Sequence, residues 1–256
     1  MRHPAPPTAL HMGKGKIASV VAVLGERIVA GDYAADAPLP VEADLAQSLD
    51  VGRSVLREAV KVLAAKGMVL ARPRVGTVIL PREDWNLFDH DVLHWHLRAM
   101  PLQPDLLRDI LEARRIIEPE AALLAALNGS PARKQAIAGH YRDMVTGARN
   151  PEAAVKADIG FHIAVLMASG NAILTAFAPA LTAILTAFFK ISIEKPEMFP
   201  GNLPAHEEVS QRILAGDAAG ARAAMLRVLA YTETDLLDRI SAGDPDELLQ
   251  TRRKYP

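Results

Sequence analysis

Residues 51–77 read VGRSVLREAVKVLAAKGMVLARPRVGT, and this stretch decides the fold of the N-terminal third of the chain. From Arg53 to Lys66, apolar residues recur at the spacing of one helix face, in a stripe formed by Leu56, Ala59, Val60 and Leu63. Arg53 and Arg57 lie one turn apart on a different face. Gly67 is placed to cap the C-terminus of the helix. The stretch therefore predicts a helix that packs by one side and presents arginines on the other.

The residues around this helix predict the rest of a small domain. Upstream, helical periodicity covers 17–30 and 42–49, and Asp50-Val51-Gly52 predicts a tight turn between the second and third helices. Downstream, short β-type runs at 68–71 and 77–80 enclose Arg-Pro-Arg-Val-Gly, which predicts a hairpin. Three helices followed by a hairpin are typical of a winged helix-turn-helix.

Positive charge is concentrated in the same part of the chain. Residues 51–82 contain seven lysines and arginines and one acidic residue, whereas the whole chain has a net charge of −1. Such a local excess is typical of a surface that meets a polyanion such as DNA, and a solvated helix face is the alternative interpretation.

Six residues are candidates for contact with double-stranded DNA: Arg53, Ser54, Arg57, Arg72, Arg74 and Gly76. The first three lie in the N-terminal part of the third helix, which is the part that reaches base edges when such a helix enters the major groove. The other three lie in the hairpin, where the glycine would let the backbone approach a sugar-phosphate wall. In the alternative interpretation, Arg57 pairs with Glu58 or another neighbour and the helix is purely structural.

The overall composition narrows the class of protein. Half of the 256 residues are apolar, aromatic residues make up only 5%, and cysteine is absent, which favours helices and excludes disulfides and thiolate metal sites. No apolar run is long enough to predict a membrane span, and the N-terminus lacks the apolar core of a signal peptide. We expect a cytoplasmic protein with a disordered leader at 1–14 and a tail at 244–256. After Arg82, helical patterns cover 86–99, 104–128, 131–148, 151–169, 171–194, 203–215 and 217–242, so the fold class is mainly α.

The helix predicted at 104–128 places a charged residue in its apolar stripe. Arg114 lies four residues after Ile110 and three before Ile117, on the same face. A buried guanidinium without a partner is costly. Either Glu118, one turn further on, or an anionic ligand is therefore expected to neutralise it.

The helix predicted at 151–169 carries a similar anomaly. Asp158 and His162 lie four residues apart in the apolar stripe, so their side chains project to the same place. A carboxylate and an imidazole at this spacing suit zinc or a similar divalent metal, although an Asp–His hydrogen bond inside the core would use the same pair. His206 begins another apolar helix and is a candidate third ligand.

Residues 15–80 resemble the DNA-binding domain of GntR-type transcriptional regulators. The shared segments are Leu-Pro-x-Glu, Leu-Ala, Arg-Ser-x-x-Arg-Glu-Ala, Gly-Met-Val and Arg-Pro-Arg-Val-Gly-Thr. The resemblance implies that the helix and hairpin candidates named above contact an operator. Two positions depart from the family pattern: Ala43 stands where arginine is frequent, and Gly52 where serine or threonine is frequent. Both departures would remove phosphate contacts.

The rest of the chain resembles the FCD ligand-sensing domain of the FadR subgroup, which is an antiparallel helical bundle. The residues that carry this resemblance are Glu112-Ala113-Arg114, Glu118, Asp158, Phe161-His162, Asn171, His206, Gly216-Asp217, Ala221 and Met225. The resemblance implies a divalent metal held by one aspartate and three histidines beside a carboxylate effector. Asp158, His162 and His206 match three ligand positions, and Val228 stands at the fourth. The site would then have open positions, or it would no longer bind metal.

The resemblance implies an organisation and a function for the whole chain. Residues 15–82 would form the winged helix-turn-helix domain, 83–100 a linker and the first bundle helix, and 101–243 the FCD bundle. Residues 84–97, DWNLFDHDVLHWHL, are similar to the linker of sugar-acid regulators of the galactonate-operon repressor type. The expected protein is a homodimeric repressor, not an enzyme, that binds a DNA operator and responds to a sugar acid held by Arg114. A metal-dependent enzyme and a regulator without effector response are the alternatives.

Overall fold

The computed structural model of the protein describes residues 15–99, 104–148, 150–192 and 198–241. The chain divides into two compact units, with the division between Met100 and Pro101. The fold class is mainly helical with one small sheet, as predicted. The expected leader at 1–14 and tail at 244–256 lie outside the described residues.

The first unit is a winged helix-turn-helix followed by one more helix. Its elements are α1 (Lys16–Ala30), α2 (Glu42–Ser48), α3 (Arg53–Ala65), β1 (Val69–Arg72), β2 (Gly76–Ile79), a 3-10 turn (Arg82–Asp84) and α4 (His90–Ala99). The first three helices begin and end within one residue of the predicted bounds. The two strands are antiparallel, with Val69 opposite Ile79 and Arg72 opposite Gly76.

The apolar stripe of α3 forms the centre of the first unit's core. Leu56, Ala59 and Leu63 are at most 1% exposed and belong to one buried cluster with residues of α1. Two tryptophans, Trp85 and Trp95, are buried in the same cluster. Gly25 of α1 lies directly against Trp95, because a β-carbon added there would be 2.3 Å from the indole ring. The helix α4 is therefore packed as part of this unit's core.

The second unit consists of helices among the residues that are described. They are α5 (Pro104–Asn128), α6 (Pro131–Gly147), α7 (Pro151–Ala168), α8 (Ala172–Ala176), α9 (Ala178–Ser192), α10 (Met198–Ala215) and α11 (Ala218–Ser241). The prediction of one continuous helix over 171–194 is wrong, because the chain breaks at Phe177. Pro179 has no amide hydrogen to donate, and it lies in the first turn of α9, where none is needed.

Local capping signals in the sequence set the starts of two bundle helices. The Ser130 side chain accepts a hydrogen bond from the amide of Arg133, and Asn150 accepts from the amides of Glu152 and Ala153. Each cap is followed by proline at the first helical position. Gly216 has φ of 74°, and it separates α10 from α11.

Three helices of the second unit carry the charged residues that the sequence placed in apolar stripes. The helix α5 packs against α7, α10 and α11, and α7 also packs against α6 and α9. Arg114 on α5 and both His162 on α7 and His206 on α10 are 2% exposed. No helix in the described part of the chain is long and apolar enough to cross a bilayer.

Candidate nucleic-acid interface and candidate metal centre

The face of α3 opposite the core is open to solvent. Arg53, Ser54 and Arg57 are all exposed on it. The Arg57 side chain is 67% exposed, and its Nε atom lies 2.9 and 3.0 Å from the two carboxylate oxygens of Glu42 on α2. The neighbour pairing left open by the sequence is therefore present, with Glu42 rather than Glu58 as partner. An ion pair this exposed contributes little to stability, and it orients the guanidinium on the open face.

The hairpin after α3 ends in a strained turn that bears an arginine. In this turn, the backbone amide of Val75 donates to the carbonyl of Arg72 at 3.2 Å, and Pro73 and Arg74 lie between the two residues. Arg74 has φ of 64°, so this is the turn position that normally favours glycine or asparagine. Gly76 has φ of 103° and no heavy atom within 4 Å of where a β-carbon would be. The backbone at the end of the hairpin is thus open to close approach.

Lys66, which the sequence counts among the positive charges of this region, points into the protein. Its Nζ atom lies 2.7 Å from Asp89 and 2.9 Å from Asp91, and 5.7 Å from the centre of the Trp95 ring. A hydrogen bond from His90, together with Lys66, lowers the pKa of Asp91 to about 2 against the effect of burial. This lysine therefore joins the end of α3 to α4 and is not available to DNA.

In the second unit, three side chains from α7 and α10 converge on one point. Asp158 Oδ1 lies 3.2 Å from His206 Nε2 and 3.9 Å from His162 Nε2, and the two Nε2 atoms are 3.4 Å apart. The hydrogen bond between Asp158 and His162 that the sequence left as an alternative is therefore not formed. Among the described residues, this is the one group of three or more metal-ligand side chains placed to share an ion.

The Nδ1 atoms of both imidazoles already have hydrogen-bond partners. His162 Nδ1 lies 2.5 Å from Glu118 Oε2, and His206 Nδ1 lies 2.9 Å from the backbone carbonyl of Asn202. Because a carboxylate and a carbonyl accept hydrogen bonds, the Nδ1 atom of each ring carries a hydrogen and donates it to that partner. If both rings are neutral, each Nε2 lone pair would face the Asp158 carboxylate, and these three groups would suit a divalent cation.

The two carboxylates of the site, the buried Glu118 and the partly buried Asp158, are held in the charged form. For Glu118, burial raises the pKa, and the neighbouring charges of Arg114 and His162 outweigh it and lower the pKa to about 2. For Asp158, burial again raises the pKa, but the hydrogen bond with His206 and the nearby positive charges lower it overall. Metal ligands must be deprotonated, so this electrostatic environment fits a metal centre.

Two family comparisons match these two units. Residues 16–79 match the family described as bacterial regulatory proteins, gntR family, and residues 109–231 match the FCD domain. The galactonate operon transcriptional repressor of Escherichia coli K12 is 30% identical over 220 residues, which are 86% of this chain and 96% of that protein. The chain belongs to the GntR family of bacterial transcription regulators, in its FCD-containing FadR subgroup.

Other relatives of this GntR regulator agree with that assignment. A putative L-lactate dehydrogenase operon regulatory protein of Escherichia coli K12 is 34% identical over 203 residues, 77% of each chain. The solved structure entitled "Lar controls the expression of the Listeria monocytogenes agr system and mediates virulence" covers 86% of this chain and 95% of its own, with TM-score 0.61 and 18% identity, and supports the fold alone. The family and these relatives are regulators, so the enzyme alternative is not supported.

Arg114 lies at the edge of the metal-ligand cluster of the GntR regulator. Its Nε atom lies 2.5 Å from Glu118 Oε1, and its guanidinium carbon lies 5.6 Å from the centre of the Phe188 ring. The partner expected from the sequence, Glu118, is therefore the one found. The same carboxylate also bonds His162, which spacing along the helix did not reveal because α5 and α7 are distant in sequence.

Asn202, whose carbonyl accepts from His206, is a residue beside the site that sequence reasoning missed. It lies one turn before His206, is 8% exposed, and its Nδ2 donates to the carbonyl of Val228 at 3.2 Å. Its Oδ1 is buried, and no residue that the structure describes donates a hydrogen bond to it. Burying such an acceptor unpaired costs roughly 1–3 kcal/mol, so an atom that donates to it would be stabilised there. The spacing of four residues from His206 was the available signal.

Proposed function

We propose that this GntR regulator is a homodimeric repressor whose release from its operator is controlled by a small sugar acid bound next to a divalent metal. Residues 15–82 would form the DNA-binding domain, 83–100 a linker whose helix α4 packs in the first unit, and 101–243 the sensor. The observation that carries the proposal is the buried group of Arg114, Asp158, His162 and His206, because it offers one site for a metal and one for an anion.

The DNA-binding part of the proposal is supported by the two exposed basic elements of the first unit. The face of α3 with Arg53, Ser54 and Arg57 has the geometry that a recognition helix needs, and the wing carries Arg72 and Arg74. A twofold homodimer would present two copies of this surface to the half-sites of a palindrome. The name of the galactonate operon relative favours a repressor over an activator.

Asp158, His162 and His206 would hold the metal. Two imidazole nitrogens and one carboxylate oxygen suit zinc or a similar ion and leave coordination positions for ligand oxygens. Val228 stands where the family pattern has its fourth ligand, a histidine, so this coordination position would have no side-chain ligand from the family pattern. When bound, the metal would polarise and orient oxygen atoms of an effector.

The effector would be a small hydroxy acid, of which galactonate is an example. Its carboxylate would pair with Arg114, which supplies the positive charge in a buried surrounding. Asn202 Oδ1 would accept a hydrogen bond from a hydroxyl group, since no donor among the described residues reaches this atom. A carboxylate and vicinal hydroxyls are the groups that distinguish a sugar acid from a simple fatty acid.

Control of DNA binding requires that the effector prefer one state of the protein. A ligand with equal affinity for the DNA-bound and free arrangements would shift neither. The proposal therefore predicts that galactonate binds more tightly to the free protein than to the operator complex, and by linkage lowers operator affinity by the same factor.

A fluorescence anisotropy titration on DNA from upstream of the protein's own gene tests the assignment. We expect Arg53→Ala and Arg57→Ala each to weaken binding by about 1–3 kcal/mol, whereas Arg27→Ala on α1 removes the same charge at a position outside the six candidate residues and is the control. Arg114→Met should retain operator binding and lose its response to galactonate. Operator binding by all arginine variants as strong as wild type would contradict the DNA-binding surface. A normal galactonate response of Arg114→Met would remove that residue from the effector site.

A further inference from the structure

One carboxylate joins the proposed anion site to the proposed metal site. Glu118 uses Oε1 for Arg114 Nε and Oε2 for His162 Nδ1, each at 2.5 Å. The residue is 1% exposed, and the side chains of both partners are 3% exposed or less. Water therefore has little access to replace either partner. A change in the hydrogen bond at one oxygen of Glu118 must then be balanced by a change in the hydrogen bond at the other.

The carboxylate holds a single negative charge that the two partners share. A stronger hydrogen bond from His162 Nδ1–H draws charge towards Oε2 and weakens the hold of Oε1 on the guanidinium. An anion that pairs with Arg114 weakens the ion pair between Arg114 and Glu118. More of the Glu118 charge is then left for the hydrogen bond from His162. A more negative partner at Nδ1 makes Nε2 a better metal ligand.

We propose that Glu118 is a positioning residue that makes metal binding and effector binding mutually favourable, by sharing its two oxygens between His162 and Arg114. The inference rests on the proposed effector site and adds a rule for its regulation. With a metal held at its Nε2, His162 would donate a stronger hydrogen bond from Nδ1 to Glu118, and Glu118 would leave more of the Arg114 charge for the carboxylate of the effector. Effector binding then tightens metal binding by the same factor, as linkage requires.

The two binding equilibria can be measured separately on the full-length protein. Cobalt(II) serves as the metal probe because its visible absorption reports coordination, and D-galactonate serves as the anion probe in calorimetry. Metal affinity is measured with and without saturating galactonate, and galactonate affinity with and without saturating metal. We expect both affinities to rise by one common factor, within the range of about 5- to 150-fold that is usual for coupled sites.

Glu118→Gln tests whether the bridge carries this coupling. The amide keeps the size of the side chain and removes the shared charge, so we expect cobalt affinity to fall about 10- to 100-fold and the coupling factor to fall towards one. Glu120→Gln is the matched control, since Glu120 lies on the same helix, is 48% exposed, and pairs with Arg222 away from the cluster. It should retain the metal affinity and the coupling factor of the wild type.

Arg114→Met keeps the inference testable if Glu118→Gln does not fold. With the guanidinium removed, Glu118 can bond His162 alone, so cobalt affinity should equal or exceed that of the wild type. A purely structural ion pair would instead lower cobalt affinity in both variants.

The possible results separate this inference from the proposed function. A wild-type coupling factor in Glu118→Gln would show that the effector communicates with the metal by direct coordination, and would overturn the role of Glu118. The inference is supported if galactonate raises the metal affinity of the wild type and does not change the metal affinity of Glu118→Gln. If the wild type bound neither cobalt nor galactonate, the proposed function itself would fail.

Discussion

Replacing Arg74 with asparagine separates what the wing turn costs from what its side chain contributes to DNA binding. Arg74 has φ of 64°, a left-handed conformation that costs a residue with a β-carbon roughly 1–2 kcal/mol. Asparagine adopts this conformation readily because its short amide can bond the local backbone. The residue is exposed, so no packing is lost in the exchange. Arg74→Asn should therefore stabilise the first unit by about 1 kcal/mol.

The stability of the first unit can be measured separately from that of the second unit. Both tryptophans of the protein, Trp85 and Trp95, lie in the core of that unit. Urea denaturation of the full chain, followed by tryptophan fluorescence, should show a higher midpoint with an unchanged slope. In a thermal scan, a gain of 1 kcal/mol corresponds to roughly 4–8 °C for a domain of this size.

The same substitution should weaken DNA binding. If the arginine contacts a phosphate, the slope of log Kd against log salt should decrease by about one, and affinity should fall uniformly across sequences. Arg74→Lys is the matched control, because it keeps both the charge and the strain and should change neither the slope nor the urea midpoint by much. A variant that bound DNA like the wild type, or that unfolded at lower urea, would refute this account of the turn.

Three further outcomes follow from particular contacts. Gly25→Ala should destabilise the first unit by about 1–3 kcal/mol in the same fluorescence assay, because its methyl group would be 2.3 Å from the Trp95 ring; unchanged stability would show that the helices can separate. Asp91 has its pKa lowered to about 2, mainly by the hydrogen bond from His90, so its contribution of roughly 2 kcal/mol is present above pH 4 and is lost as the pH falls towards 2. Asp91→Asn should flatten this part of the stability profile, and an unaltered acid limb would contradict the assignment. Val228→His should raise cobalt affinity by adding a fourth side-chain ligand, the third nitrogen, and no gain would place position 228 outside reach of the metal.

Local signals in the sequence were enough to predict most of the elements. The apolar stripe of α3, the caps at Ser130 and Asn150, and the glycine after α10 act within a few residues, so they can be read without knowing what packs where. The break at Phe177 was missed because the apolar run continues through it, and Pro179 is the only proline between 171 and 194.

By itself, the sequence determined that Arg114, Asp158, His162 and His206 would lie on buried helix faces, because helical periodicity places a residue on a face. Only the tertiary structure decided which of them meet. The partners of one side chain come from helices far apart in the chain, so Glu118 reaches His162, and Lys66 turns inward to Asp89, through packing that no local pattern encodes. Hydrogen-bond geometry is sensitive to displacements of less than an ångström, and those displacements are set when the helices pack together.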